Sequence, residues 1–310
     1  MMSKMKAFVR VDAKNDRVEL AEVAIPEIDD NEALVEVKAF GVGVHDRYFI
    51  PQDASFPYTI GTEAAGIVAK TGKDVTDFKV GDRVILSSSL YPKGGCWAEY
   101  VAASPQVMVQ MPDSMDFTLG ASLPVAGKTA LESIRALDLK QGDTLFVAGA
   151  SGAIGTLVIQ LAKARDIRVI GSASSKNHDY MKAQGALAAV DYRASNWKED
   201  VLNWKPGGVD AALAIQRGTV KDSMDVVKDG GKVITVSGDD QVLAERGIFV
   251  HQFEHQLDIQ QAVKILIEEI NSGQLDVVLE QIYPFADAMS ALEKTETRHA
   301  RGKLVVSADA

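Results

Sequence analysis

The chain has 310 residues, a hydrophobic content of 46% and a formal net charge of −10, enough for a large core and, at about 150 residues each, for two domains. The acidic balance, with no run of Lys and Arg, argues against a nucleic-acid or anionic-membrane partner, and the composition excludes collagen, coiled coil and disorder. A single cysteine, Cys96, excludes an internal disulfide and a cysteine-rich zinc site.

Met1–Asp16 alternates charged and apolar residues and lacks the apolar core of a signal peptide. No apolar run approaches the ~18 residues that span a bilayer, so a cytoplasmic location is expected. Met5–Val11, Arg17–Glu22 and Ala33–Phe40 read as short strands, followed by Gly61–Lys70, Val80–Leu86 and Ala98–Ala102 between Gly, Pro and Asp turns. Short, evenly spaced strands suggest a small barrel-like or partly open β-domain. Across Asp113–Lys140 the spacing turns helical, with Leu119, Leu123, Ala126, Ala130, Leu131, Ile134 and Leu137 on one face.

From Thr144 onward strands and helices alternate. The strands are Thr144–Ala148, Arg168–Ser172, Ala188–Asp191, Val209–Ala214, Lys232–Val236 and Gly247–Val250, with helices centred on Leu157, Tyr180, Val201, Met224 and Val263. This alternation implies a parallel sheet covered on both faces, and six strands complete a doubly wound Rossmann fold. Val277–Tyr283, Phe285–Lys294 and Gly302–Ser307 then read as strand, helix and strand that return to the first domain. The expected class is therefore α/β, with a β-rich domain at 1–120 completed by 275–310, and a Rossmann domain at 121–274.

Gly149, Gly152 and Gly155 form a G-x-x-G-x-x-G run between the strand Thr144–Ala148 and a helix whose apolar face is Ile154, Leu157, Val158, Leu161 and Ala162. The unit Thr144–Ser172 has about the 30 residues of a dinucleotide-binding β-α-β. Small residues let the backbone of Gly149, Ala150, Ser151, Gly152, Ala153, Ile154 and Gly155 approach a pyrophosphate, and the helix start offers N–H groups and a positive dipole. NAD-binding folds usually end the second strand in an acid that holds the ribose 2′-hydroxyl. Here Ala173 stands in that place, followed by Ser174, Ser175 and Lys176. Hydroxyls and an ammonium suit a 2′-phosphate, each bond to a charged group contributing about 1.5–3 kcal/mol. NADPH is therefore the expected cofactor. Lys176 as a solvated helix-start residue, and Tyr192 as a packing residue rather than a wall for the adenine, both stay open.

With these residues in view, the chain resembles the medium-chain dehydrogenase/reductase superfamily in its zinc-free quinone oxidoreductase branch. The resemblance rests on Gly61-Thr62-Glu63-Ala64-Ala65-Gly66-Ile67-Val68, Gly81-Asp82-Arg83-Val84, Gly127-Lys128-Thr129-Ala130, the glycine turn, and Ala300-Arg301-Gly302-Lys303-Leu304-Val305. It implies a GroES-like first domain, NADPH, and reduction of a small-molecule quinone or α,β-unsaturated carbonyl, with Arg301 and Lys303 added to the cofactor set and a homodimer as the assembly. The zinc cysteine of metal-dependent relatives would fall at Gly43 and their zinc histidine at Thr62, and neither residue can supply that ligand. His251 and His255 have helical ligand spacing but no evident third ligand. A metal-free reduction is therefore expected: the acceptor lies over the nicotinamide, between the domains, and hydrogen-bond donors meet its oxygen.

The resemblance places an active-site tyrosine at Tyr48, with His45 and Asp46 beside it, and Thr129 at the start of a helix near the nicotinamide. The loop Ser237–Asp240 completes the expected lining. Two departures bear on function: many zinc-free relatives carry Asn where Gly43 stands, and strand four ends in Ala214-Ile215-Gln216-Arg217-Gly218 rather than in an acid and a glycine-rich turn. They keep a second reading open, an NADPH-binding redox sensor or interaction protein with little turnover.

Overall fold

A computed structural model describes residues 4–238 and 241–308. The chain divides into two compact units, one of Met1–Lys128, Asp258–Ile265 and Leu279–Ala310, the other of Thr129–Leu257 and Leu266–Val278. Among the described residues, no helix is long and apolar enough to cross a membrane.

In the first unit, β1 (Lys4–Arg10), β2 (Val18–Ala24), β3 (Ala33–Val42), β4 (Tyr58–Thr59), β5 (Glu63–Thr71), β6 (Arg83–Ser87), β7 (Tyr100–Ala103) and β8 (Met108–Gln110) come first. A short helix α1 (Phe117–Gly120) and a π-helical turn, Leu123–Gly127, follow and lead into α2 (Lys128–Leu137). β3 shows why it is a strand: Ala33, Val35, Val37 and Ala39 point inward while Leu34, Glu36 and Lys38 alternate outward, the two-residue period of a sheet with one packed face.

The second unit holds β9 (Thr144–Ala148), α3 (Ala153–Lys163), β10 (Arg168–Ser172), α4 (His178–Gln184), β11 (Ala188–Val190), α5 (Trp197–Trp204), β12 (Val209–Ala214), α6 (Val220–Val226), β13 (Val227–Thr235) and β14 (Phe249–Gln252). After α7 (Ile259–Asn271) the chain forms β15 (Leu279–Pro284), α8 (Ala288–Glu296) and β16 (Lys303–Ser307).

In the first unit, β2-β1-β4 make one sheet, and β15-β16-β3-β5-β6-β8 make a second, to which β7 adds by pairing with β3. Between them lies an aromatic core. Phe40 stacks on Trp97 with ring centres 4.9 Å apart, and Phe8 meets Trp97 edge-on at 6.0 Å. The Trp97 indole N–H donates to the Gly41 carbonyl, so the one polar atom of the ring is satisfied.

The sheet of the second unit runs β11-β10-β9-β12-β13-β14 and is parallel throughout. Numbered from its own first strand, that is the order 3-2-1-4-5-6, with the reversal beside β9 that marks the ligand side of a doubly wound sheet. β9 is buried along its whole length, as expected where both faces are covered. Its amino end is pinned by Asp210, which accepts from the Thr144 N–H at 2.8 Å and hydroxyl at 2.6 Å and also pairs with Lys228. At the other end the strands stop on one line: Val190, Ser172, Ala148, Ala214, Thr235 and Gln252 are successive cross-strand partners. The residue after each opens a loop on the same rim.

Candidate dinucleotide site and active-site cluster

The glycine turn leaves that rim from the central strand. Gly149 adopts φ +91°, a conformation that favours glycine, and the N–H groups of Gly149 and Ala150 both donate to the Ser172 carbonyl. α3 begins directly after Gly152, an extended residue at φ −80° and ψ −179°. Gly155 is required for a different reason. A Cβ there would lie 2.6 Å from the Ala150 Cα and nearer still to the Gly149 carbonyl oxygen, so the helix packs against its own entry turn. Gly152 is open by contrast, with the Gly149 carbonyl 3.7 Å from where its Cβ would be. The first N–H groups of α3 have no partner within the helix. An open glycine in front of them is a cradle that fits a pyrophosphate.

The neighbouring rim position carries Ala173, buried at the end of β10, then Ser174, Ser175 and Lys176. Ser174 is buried, whereas Ser175 and Lys176 are exposed. This loop is tied down on both sides. The Asn177 amide donates to the Ser151 hydroxyl at 3.1 Å, linking it to the glycine turn. The Ser175 N–H donates to Asp191 at 3.0 Å. Asp191 is held by Arg193 through two guanidinium bonds, at 2.9 and 2.6 Å, and that pairing holds its carboxyl well below the usual range. A carboxylate therefore does stand beside the Ser174–Lys176 loop, but just after the third strand and with its charge met by Arg193. Motif reading missed this pair, because its acid lies a strand away from the position where such folds carry one. Tyr192 between them is half exposed, with Arg193 over its ring at 5.9 Å.

Gln216, on the loop after β12, flanks the glycine turn from the other side. Its side chain would be 2.8 Å from a Cβ on Gly149. The segment Ser237–Gly238 follows β13; Asp239 and Asp240, expected in the lining, lie outside the described residues.

In the first unit, β3 runs into a tight turn at 43–49. The Tyr48 and Phe49 N–H groups both donate to the His45 carbonyl, at 2.7 and 2.9 Å. Tyr48 is 52% exposed. The His45 ring tilts against Phe49, and desolvation followed by the charge of Arg298 pushes its pKa down. Asp46 turns inward and is 1% exposed. It accepts from the Gly43 N–H and from the Thr62 hydroxyl, each at 2.7 Å. Burial pushes its carboxyl up to about 6, against the effect of those two donors.

Beside it, Glu63 is 1% exposed and pairs with Lys303 at 2.5 Å, while its second oxygen accepts from the Val125 N–H of the π-helical turn. Gly41 makes room for that carboxylate, which a Cβ would strike. Lys303 also donates to the Val42 carbonyl at 2.9 Å. Lys303 was expected among the cofactor contacts. Its ammonium is buried and is held by Glu63 and the Val42 carbonyl. Arg301 lies on the exposed approach to β16, where its N–H donates to Glu280. Cys96 is fully buried, and desolvation raises its pKa, which leaves an unreactive thiol.

Thr129 is buried at the start of α2. One turn on, Glu132 is 3% exposed and accepts from the Gln256 and Leu257 N–H groups, each at 2.6 Å, and from His255. His255 is thus a partner of Glu132, and His251 stacks on Phe249 at 5.7 Å. Among the described residues, no group of three or more His, Cys, Asp or Glu is placed to hold a metal ion.

Comparison with known proteins adds a family context. Residues 29–113 match a model described as the alcohol dehydrogenase GroES-like domain, and residues 184–306 one described as zinc-binding dehydrogenase. The chain is 31% identical to the chloroplastic NADPH-dependent alkenal/one oxidoreductase of Arabidopsis thaliana, over 97% of this chain and 79% of that one. It is 28% identical to the quinone oxidoreductase of Sus scrofa, over 92% of each. Among solved structures, the quinone oxidoreductase from Coxiella burnetii superposes with a TM-score of 0.86 at 29% identity, covering 98% of this chain and 99% of that one.

Proposed function

Because the chain belongs to the medium-chain dehydrogenase/reductase superfamily, we propose that it is an NADPH-dependent oxidoreductase that reduces a quinone or an α,β-unsaturated carbonyl without a metal. The observation that carries this reading is the glycine turn at the strand-order reversal, with Gly155 packed on Gly149 and Gly152 open in front of α3. The relatives' names, alkenal/one oxidoreductase and quinone oxidoreductase, support the acceptor class.

In this reading the Gly149–Gly155 backbone holds the pyrophosphate, and Ser174, Ser175 and Lys176 hold the 2′-phosphate. Arg193 keeps Asp191 from repelling it. Tyr192 lies on the adenine side. When bound, the cofactor supplies a hydride. The chain's own task is then to position the acceptor and to meet the negative charge that develops on its oxygen. Tyr48, His45 and Thr129 are the candidates for that task. Gly43 and Thr62 stand where zinc ligands would be needed and offer neither thiolate nor imidazole, so this chemistry relies on hydrogen-bond donors. A homodimer belongs to the same reading: β14 is the open edge of its sheet and presents Phe249, which is 58% exposed.

The direct test is loss of NADPH absorbance on incubation with small quinones and 2-enals. Turnover of at least one acceptor above background is expected, and none with any acceptor would leave the sensor reading, which Gly43 favours by lacking a side-chain donor. The cofactor assignment has its own test. Ala173→Asp sets a carboxylate at the end of β10, next to the Ser174–Lys176 loop, and should lower the ratio of NADPH to NADH affinity by about 10–100-fold, the value of one bond to a charged group. An unchanged ratio in paired binding titrations would show that the 2′-phosphate lies elsewhere.

A further inference from the structure

Asp46 is a buried acid that the reaction outlined above does not use. The charged and titratable groups around it are Glu63 on β5, Lys303 on β16 and Cys96 ahead of β7. Lys303 is held by Glu63 at 2.5 Å. Among the described residues, Asp46 therefore has no ion-pair partner of its own and depends on two hydrogen-bond donors, the Gly43 N–H and the Thr62 hydroxyl.

Two features make this more than a structural contact. The first is an opening. A Cβ at Gly43 would meet nothing nearer than the Asp46 carboxylate, 3.6 Å away. The missing side chain thus leaves space directly over the acid, on a residue that is itself partly exposed. The second is the polarity of the Thr62 bond. A hydroxyl has one proton to give and lone pairs with which to accept. While Asp46 is ionised, Thr62 spends its proton on the carboxylate. Once Asp46 is protonated, the carboxyl O–H can donate to Thr62 instead, and the Thr62 proton is released for another acceptor. The pair can pass a proton from carboxyl to hydroxyl without any heavy atom moving far.

We propose that Asp46 and Thr62 form a proton relay that supplies the proton completing reduction of the conjugated acceptor. This rests on the reductase reading. With the cofactor bound, a C–H bond of the reduced nicotinamide would break and its hydride would form a C–H bond on the acceptor, oxidising the cofactor, while the acceptor's conjugated π pair would shift onto the carbonyl oxygen. The Thr62 O–H bond then breaks and its proton bonds to that oxygen. The Asp46 O–H bond breaks in turn and restores the Thr62 hydroxyl, and the carboxylate regains a proton from water. Thr62 is the catalytic residue in this scheme, and Asp46 acts through it as the proton store.

The carboxyl titration is read first, without cofactor, by 13C NMR of aspartate-labelled protein. A resonance with a midpoint near 6, absent in Asp46→Asn, is expected; a midpoint at the ordinary 3.8 overturns the store. With NADPH and an accepted quinone or enal, wild-type kcat should fall as pH rises through about 6, because the protonated acid is the active form. Thr62→Val should lower kcat by about 10²–10⁴-fold, the usual share of general acid catalysis, with NADPH affinity held and the fold intact by circular dichroism, and should abolish that pH limb. Thr62→Ser should restore both. Wild-type turnover together with unchanged kcat and pH profile in Thr62→Val overturns the relay alone. No wild-type turnover with any acceptor overturns the reduction and, with it, the relay's part in it. If Asp46→Asn fails to fold, the resonance is assigned instead from its displacement in Thr62→Val, and no displacement overturns the pairing.

Discussion

Gly155→Ala is expected to weaken NADPH binding by roughly 5–150-fold while leaving the parallel sheet intact. The added methyl would lie 2.6 Å from the Ala150 Cα, with the Gly149 carbonyl oxygen closer still. These are backbone atoms and cannot rotate out of the way. Either α3 retreats from the turn or the turn opens, and both displace the N–H groups that would meet the pyrophosphate. Overpacking of this kind costs about 1–3 kcal/mol, and each 1.4 kcal/mol is about tenfold in affinity. Quenching of protein fluorescence by NADPH measures the loss, and far-UV circular dichroism checks the fold. Gly152→Ala is the informative companion, since its Cβ would find only the Gly149 carbonyl at 3.7 Å. It should keep wild-type stability and still lose affinity, because it fills ligand space and touches little protein. Wild-type affinity in both variants would mean that the pyrophosphate does not sit on this turn.

Lys303→Met should destabilise the protein by about 3–5 kcal/mol, the usual consequence of leaving a buried carboxylate without its cation. Glu63 is 1% exposed and cannot turn to water. The effect should reach the π-helical turn, whose Val125 N–H donates to the same carboxylate at 2.7 Å, and Val125 amide exchange should accelerate. Urea denaturation gives the stability change. The double variant Glu63→Gln with Lys303→Met removes both charges and should recover most of the loss. A single-variant change below about 1 kcal/mol would show that the pair is worth no more than one on the surface.

The parallel sheet was legible because each strand is a short apolar run and each helix carries its own 3.6-residue face. Leu157, Tyr180, Val201, Met224 and Val263 all lie in helices of the structure. The glycine turn was legible because small residues recur at fixed spacing between a strand and a helix. β4 was not: two residues, Tyr58 and Thr59, pair with β1 and are too few to show any period. The chain from 119 to 126 has helical spacing, yet the structure interrupts it with a π-helical turn over Leu123–Gly127. The site's polar wiring was hidden for a different reason. Glu63 and Lys303 are 240 positions apart, and Thr62 meets Asp46 across two separate segments. Pattern reading sees spacing along the chain, and these contacts are set by strand pairing. Lys303 was placed at the cofactor on family grounds, and spacing along the chain gave no sign of its pairing with Glu63.

The common finishing line of the six parallel strands has a consequence for how such a protein can change. Val190, Ser172, Ala148, Ala214, Thr235 and Gln252 are locked side by side by main-chain hydrogen bonds. Each rim loop therefore starts from a fixed anchor, whatever the length of its neighbours. Residues can be inserted after Thr235 or deleted after Ala214 without moving Gly149 along its strand. The loops after β12 and β13 can then vary independently of the few residues that follow β10 and β11.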